Sequence, residues 1–136
     1  MSNSDVAAIE RLLSDFAWHA DRGEGTSLSQ LFVQDGVLCV SGLELKGRQQ
    51  IADDCHRRFE KPNRKTRHMW SNLRVDRIEG DAAASFAIQI TLEQSGSEEP
   101  TQVRVNDLVD EFQKDTDGNW KIARRIIDRK MAFSIA

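Results

Sequence analysis

The sequence predicts an α+β domain in which three N-terminal helices enclose a pocket against a cone-shaped, curved antiparallel (mixed) sheet. The order of patterns is the first reason, because helical periodicity comes first and long strand-like segments follow it. Size is the second, because 136 residues, 39% of them hydrophobic, suit a single domain spanning residues 1–136. Strand length is the third, because long strands in a twisted sheet curl and leave a cavity beneath a helix.

The first helix is the clearest element. Ser4 is a favourable N-cap, Asp5 suits the first turn, and Gly23 and Gly25 are typical of a helix end. Between them, apolar residues recur at spacings of three and four, which indicates one buried face. These residues are Val6, Ile9, Leu13, Phe16 and Ala20, with Leu12 and Ala17 widening the stripe.

Two further helices are predicted, over residues 27–32 and over residues 48–59, the second ending before Pro62. The second of these has a narrow apolar stripe, formed by Ile51, Cys55 and Phe59. Its polar side carries Asp53, Asp54 and His56. No further ligand is spaced to complete a metal site with them, so we interpret them as a solvated face and expect neither a metal nor a cofactor.

Strand patterns occupy most of the remaining chain. In chain order, the predicted strands cover residues 37–40, 43–46, 67–78, 82–93, 101–114 and 120–133. Turns between neighbours are indicated by Gly42, by Gly80 and by the pair Asp117-Gly118. Trp120 starts the last strand directly after a turn, and we expect it in the core.

The strand over residues 101–114 has no cleanly apolar face. One face carries Val103, Val105, Asp107, Val109 and Glu111, and the other carries Arg104, Asn106, Leu108, Asp110 and Phe112. Either a bulge shifts the register or polar residues line the pocket, and Asn106 and Asp107 are the candidates. If Lys114 pairs with Trp120, then Asp110 faces Arg124, which predicts a structural ion pair.

Composition narrows the classes of function. The formal net charge is −3 and no Lys/Arg stripe is present, so no nucleic-acid partner is expected. We interpret the basic residues between positions 57 and 67 as a helix end and a solvated loop. Two cysteines make no disulfide framework. No apolar run approaches the ~18 residues of a membrane span, and no signal-peptide pattern is visible, so no membrane association and a cytoplasmic location are predicted.

Four short motifs occur in a specific order. They are Leu31-Phe32-x-x-Asp35-Gly36, Lys46-Gly47-Arg48, Thr66-Arg67-His68-x-x-x-Asn72 and Asp117-Gly118-x-Trp120-Lys121-Ile122-Ala123-Arg124-Arg125. Together they span nearly the whole chain. In their order and spacing the chain resembles the SnoaL-like branch of the nuclear-transport-factor-2-like superfamily. The resemblance implies a cone-shaped α+β barrel with a deep pocket, and it leaves the activity open because one fold hosts many functions.

The chemistries of that superfamily require different residues. Ketosteroid isomerases need an Asp base, near where this chain has Cys39-Val40, and a Tyr oxyanion donor, whereas this chain contains no Tyr. Scytalone dehydratases and hexachlorocyclohexane dehydrochlorinases use a His base on the first long strand, oriented by an Asp at the end of the first helix. The resemblance places His68 and Asp21 in these roles. Scytalone dehydratases also use tyrosines, so dehydration of scytalone itself is not expected here.

The residues around His68 favour the same role. On a strand, His68, Trp70 and Asn72 project to one face, a combination that suits a pocket wall better than a packed core. Neutral imidazole is the natural general base near neutral pH. The alternative is a histidine at the sheet surface or at an interface. Asp21 ends a helix, where a carboxylate interacts unfavourably with the helix dipole, and such a local exception indicates a functional role. The alternative interpretation of Asp21 is a solvated side chain.

The sequence therefore predicts a cofactor-independent lyase or isomerase that acts on a small apolar or aromatic molecule. The predicted catalytic residues are His68 and Asp21, and the predicted pocket residues are Trp70, Asn72, Trp18, Asn106 and Asp107. The absence of Tyr favours an alternative, a non-catalytic ligand-binding or accessory domain. A second alternative is a small subunit that docks on an oxygenase.

A homodimer or homotrimer is also predicted, because Met69 and Leu73 leave apolar groups on a second surface of the sheet. His19 lies on the opposite flank of the first helix from Asp21, and we expect it to be exposed or at an interface.

Overall fold

The helix-then-strand order of the sequence is realised in the computed structural model, which describes residues 3–96 and 98–136. In chain order the elements are α1 (Asn3–Arg22), α2 (Gly25–Ser29), β1 (Phe32–Val40), β2 (Leu43–Lys46), α3 (Gly47–Phe59), β3 (Lys65–Glu79), β4 (Ala82–Gln94), β5 (Thr101–Lys114) and β6 (Trp120–Ile135). The predicted N-cap, Ser4, lies within α1. Among the described residues, no helix is long and apolar enough to cross a membrane.

The six strands form one sheet in the order β2-β1-β6-β5-β4-β3. Neighbouring strands are antiparallel except β1 and β6, which run parallel. The predicted α+β class with a curved mixed sheet is confirmed. The barrel implied by the resemblance is wrong in one respect, because the sheet stays open with β2 and β3 as its edges.

The apolar stripe of α1 supplies the centre of the core. Ile9, Leu12, Leu13 and Phe16 are buried against the inner face of the sheet. Full burial of such a side chain contributes about 1.5–3 kcal/mol. Trp120 is buried as predicted, and its indole Nε1 donates a hydrogen bond of 2.9 Å to Asp5 Oδ1 on α1.

The boundary between the second helix and the first strand differs from the prediction. Helix α2 ends at Ser29, and Phe32 belongs to β1 rather than to the helix. Phe32 is fully buried and pairs with Ile122 of β6, and the neighbouring Leu31 carbonyl accepts the Ile122 N–H at 2.8 Å. Pairing with the central strand therefore overrides the helical spacing of this short segment.

The register of β5 with β6 also corrects one prediction. Lys114 does pair with Trp120, but a bulge between Glu111 and Phe112 shifts the strand by one position. Asp110 therefore faces Arg125 rather than Arg124.

The pairing of β5 with β4 has no register shift, and it shows which side chains of β5 lie on the inner face of the sheet. Asn106 lies opposite Gln89 and Arg104 lies opposite Thr91, on the inner face. Asp107 lies on the outer face opposite Ile88, so its assignment to the pocket is wrong. The inner face of β5 is polar at one end because that end lines the cavity.

Candidate active site

The carboxylate of Asp21 contacts the imidazole of His68. The distance between Asp21 Oδ1 and His68 Nδ1 is 2.6 Å. The same carboxylate accepts the backbone N–H of His68 at Oδ2 and the Thr66 hydroxyl at Oδ1, both at 3.0 Å. Three donors from one stretch of β3 therefore hold a carboxylate that is only 4% exposed.

Local structure explains why these groups meet. Asp21 lies in the last turn of α1, which packs across β3. Gly23, with a φ of +68°, ends the helix directly afterwards, and an added Cβ there would lie 2.2 Å from the Phe59 ring. Thr66 and His68 are two residues apart on a strand, so their side chains reach Asp21 from the same face.

The contact lowers the pKa of Asp21 and orients the His68 ring. Burial raises the pKa of Asp21, but the hydrogen bonds and the charge of His68, followed by the Thr66 hydroxyl, outweigh burial and hold the pKa below its ordinary value. An ionised carboxylate only accepts hydrogen bonds, so Nδ1 of His68 carries the proton. Nε2 is then the basic nitrogen, and His68 is part of the cavity wall.

The cavity beside His68 has a volume of about 520 Å³. Its apolar part is built by α1, α2, α3 and the strands β1 and β6, through Phe16, Ala20, Leu28, Leu38, Val40, Ile51, Cys55 and Ile127. Burial raises the pKa of the Cys55 thiol to about 11, with the Asp54 charge adding to the effect. The thiol is therefore an apolar group of the wall at neutral pH.

The other part of the wall is polar and charged. Gln89, Thr91 and Glu93 alternate along the inner face of β4. His68, Thr91 and Arg104 lie side by side on β3, β4 and β5, and Gln89 and Asn106 form the next row. Asn106 Nδ2 donates to Gln89 Oε1 at 3.0 Å, whereas Asn106 Oδ1 is buried without a hydrogen-bond partner.

Two carboxylates of the wall are each shared by two guanidinium groups. Glu93 is bound by Arg104 and by Arg64, whose Nε lies 3.3 Å from Oε2. Burial raises the pKa of Glu93, but Arg104 and then Arg64 outweigh burial and lower it.

Asp54 is bound by Arg57 and by Arg58 at 2.8 Å. It is 4% exposed, so its assignment to a solvated face is wrong. The reason is that α3 turns this side toward the cavity, while Asp53 and His56 remain exposed as predicted.

The structure brings together only part of the predicted site. Of the five predicted pocket residues, Asn106 lines the cavity and Trp18, Trp70, Asn72 and Asp107 do not. Trp18 is 55% exposed and lies under the Arg22 guanidinium. Trp70 packs beside α1 and donates to Ser14 Oγ at 3.0 Å. Asn72 has a φ of +56° at a break in the β3–β4 register, which takes it out of the inner face.

The charged residues of the wall were not predicted. Arg58, Lys61 and Arg64 were interpreted as parts of a helix end and a solvated loop, yet all three line the cavity. The sequence did carry a signal, because this basic segment leads directly into the strand that presents His68. The predicted apolar pocket is thus apolar on one side only. His19, on the other flank of α1, is partly exposed and contacts Glu24 at 3.0 Å.

Comparison with known proteins gives a family and a fold. The family model described as a SnoaL-like domain matches residues 2–126. No curated protein sequence matches the chain. Among the described residues, no group of three or more His, Cys, Asp or Glu side chains is placed to hold a metal ion.

Solved structures match nearly the whole chain. A hexachlorocyclohexane dehydrochlorinase of type 2 has a TM-score of 0.87 and 19% identity, over 98% of this chain and 90% of that one. A provisionally named scytalone dehydratase from Novosphingobium aromaticivorans has a TM-score of 0.85 and 23% identity, over 98% and 89%. A provisionally named aromatic ring hydroxylase from the same organism has a TM-score of 0.87 and 23% identity, over 98% and 95%. Identities this low show a common fold.

Proposed function

The chain belongs to the SnoaL-like domain family, and from that premise we propose that it is a lyase or isomerase in which His68 removes a proton from a small molecule. The observation that carries the proposal is the 2.6 Å contact between Asp21 Oδ1 and His68 Nδ1 at the edge of a cavity. A dehydratase and a dehydrochlorinase among the similar folds support the same reaction type.

The geometry supports a proton transfer to His68 Nε2. Asp21 fixes the tautomer, so the lone pair of His68 Nε2 is available to a C–H group of the bound molecule. The proton moves to Nε2, and the C–H electron pair either forms a double bond as a leaving group departs or is reprotonated at another carbon. The Asp21 carboxylate stabilises the imidazolium formed in this step. The apolar side of the cavity holds the body of the substrate and excludes water.

Deuterium exchange tests this proposal without knowledge of the natural product. A panel of small carbon acids is incubated with the protein in D2O and followed by proton NMR. We expect deuterium to enter at least one compound with the wild type and not with His68→Gln. His19→Gln is the matched control, because His19 also contacts a carboxylate but does not line the cavity. Equal exchange by wild type and His68→Gln would refute the proton transfer.

A non-catalytic ligand-binding or accessory domain is the second candidate. The chain has no Tyr, and among the described residues the side-chain hydroxyl groups of the cavity wall are those of Ser41 and Thr91. A binding domain of this type would take up compounds from the panel without exchanging their protons. Saturation-transfer NMR on the same samples distinguishes the two functions.

We also propose a homodimer or homotrimer formed through the outer face of the sheet. Met69, Ile90, Val105 and Met131 form a row across four strands on this face. Met69 and Met131 are 48% and 58% exposed, and the neighbouring Phe133 is 51% exposed. Exposed apolar surface of this extent is typical of an interface. Light scattering that reports a monomer at 100 μM or so would contradict it. The cytoplasmic location stays a prediction.

A further inference from the structure

The charged side of the cavity has more cations than carboxylates. Five cationic side chains line the cavity, against three carboxylates, an excess of two. The cations are Arg58, Lys61, Arg64, Arg104 and Arg129, and the carboxylates are Asp54, Glu93 and Asp128. The chain as a whole has the opposite sign, with a formal net charge of −3. The positive charge is therefore concentrated at this site.

The cluster Arg64–Glu93–Arg104 is the most buried part of this excess. The side chains of the three residues are 12%, 15% and 22% exposed, respectively. One carboxylate between two guanidinium groups leaves one positive charge uncompensated. Partly buried charge without a counter-ion is costly, so the cluster is suited to bind a monoanion from the cavity. A guanidinium matches a carboxylate geometrically, because its planar donors can bind both oxygens.

The cluster lies at a defined distance from the proposed base. Arg104 and His68 are two strands apart in the same row, which places their Cα atoms about 10 Å apart. An anion bound at Arg104 is therefore a binding handle several ångströms from the proton that His68 removes. It does not itself take part in the proton transfer.

Asn106 supplies a second, independent observation. The residue is 5% exposed and lines the cavity, and its Oδ1 atom has no hydrogen-bond partner among the described residues. A buried acceptor left unpaired costs free energy, so this atom is suited to accept a hydrogen bond from a ligand O–H or N–H group.

We propose that the substrate is a monocarboxylate with an apolar body and a hydroxyl or N–H group. The carboxylate binds to Arg64 and Arg104, the apolar body lies against the Phe16 side of the cavity, and the donor group binds to Asn106 Oδ1. That the bound molecule is a substrate rests on the proposed function. The preference of the cavity for a carboxylate is independent of catalysis. The predicted small apolar molecule is thereby restricted to an amphiphilic anion.

The test compares 4-phenylbutyrate with its neutral amide, 4-phenylbutyramide, by isothermal titration calorimetry. We expect the wild type to bind the acid about tenfold more tightly than the amide, because a charge-assisted hydrogen bond replaces a neutral one. The preference should shrink with added NaCl and should persist in His68→Ala, which separates this inference from the proton transfer. Equal binding of acid and amide, or no binding of either at millimolar concentration, would overturn the inference.

Variants locate the anion. Arg104→Met and Arg64→Met should each remove most of the preference for the acid, while Arg11→Met, which changes an exposed arginine outside the cavity, should keep it. Glu93→Gln should increase the preference, because it removes the competing carboxylate and leaves both cations. Circular dichroism checks that each variant folds. A preference unchanged in both Arg104→Met and Arg64→Met contradicts the assignment, as does tighter binding of phenyl phosphate than of the carboxylate.

The proposed hydrogen bond to Asn106 Oδ1 is tested by a separate comparison of ligands. A derivative of 4-phenylbutyrate that carries a hydroxyl group on the chain should bind more tightly than the parent acid to the wild type. Asn106→Leu should remove this gain but keep the preference for the acid over the amide. A series of hydroxylated acids with no gain at any chain position contradicts the role of Asn106.

Discussion

Asp110 and Arg125 form a bidentate ion pair in the interior of the protein. Arg125 Nε and Nη2 donate to the two carboxylate oxygens of Asp110 at 2.8 Å each, and both side chains are 1% exposed. The Arg125 guanidinium also lies 4.4 Å from the centroid of the Phe16 ring. The pair therefore connects two strands of the sheet to the helix that covers them.

Removing one partner of this pair should strongly destabilise the fold. Arg125→Met leaves the Asp110 carboxylate buried and unpaired, for which we expect a loss of about 3–5 kcal/mol in the free energy of unfolding. Urea denaturation measures it. Arg11→Met is the control, because Arg11 pairs with Asp15 at the surface with 78% of its side chain exposed, and such pairs contribute about 0–1 kcal/mol. Similar losses in both variants would contradict a structural role for the buried pair.

Asp21→Asn should impair the proposed proton transfer without removing the base. The amide can donate to His68 Nδ1, which favours the tautomer with the proton on Nε2 and leaves no lone pair toward the cavity. We expect the deuterium-exchange rate to fall by about 10²- to 10⁴-fold. Nitrogen-15 shifts of the imidazole report the tautomer directly. Asp15→Asn serves as the control, because Asp15 lies on the same helix but pairs with Arg11 and does not line the cavity. Full exchange with an inverted tautomer would show that Asp21 does not act through His68.

Acid should destabilise the protein through Glu93 and Asp21. Both carboxyl groups have a lowered pKa in the folded state. Their contribution is therefore complete above the unfolded values of about 4.3 and 3.9, and it is lost as the pH falls through the lower folded values.

Denaturant titrations between pH 7 and pH 2 measure this loss. We expect a shallower decline in Glu93→Gln, and also in Arg104→Met, since Arg104 is the main cause of the lowered pKa of Glu93. Wild-type slopes in both variants would refute the assignment.

Cys55 should react slowly with thiol reagents. With a pKa of about 11, only about one thiol in a thousand is ionised at pH 8. We expect Cys39→Ser, which retains Cys55 alone, to react with Ellman's reagent about two orders of magnitude more slowly than free cysteine at this pH. The rate should rise about tenfold per pH unit toward pH 11. Complete labelling within minutes at pH 8 would contradict the raised pKa.

The elements that could be predicted from the sequence are those with a strong periodic pattern. Helix α1 followed from its apolar spacing, and the long strands followed from their turns. The pairing of Asp21 with His68 was reached through the family resemblance, since 47 positions separate the two residues and no local pattern connects them.

The charged wall of the cavity was missed for a physical reason. Arginines after a helix are ordinarily solvated, and only the return of the chain into β3 turns Arg64 toward Glu93, which lies 29 positions further on. Bulges also change which residues contact each other, over a shorter stretch of the chain. A single added residue moved the partner of Asp110 from Arg124 to Arg125, and a sequence pattern does not contain that shift.

The position of β6 in the sheet has a consequence for synthesis on the ribosome. This strand follows the other five strands in the chain, yet it lies between β1 and β5 and joins the two halves of the sheet. Until β6 has left the ribosome, the nascent chain can form a hairpin of β1 with β2 that is not paired with any strand of the meander β3, β4 and β5. The parallel pairing brings Phe32 to Ile122, a closure over 90 residues, so folding should be slow.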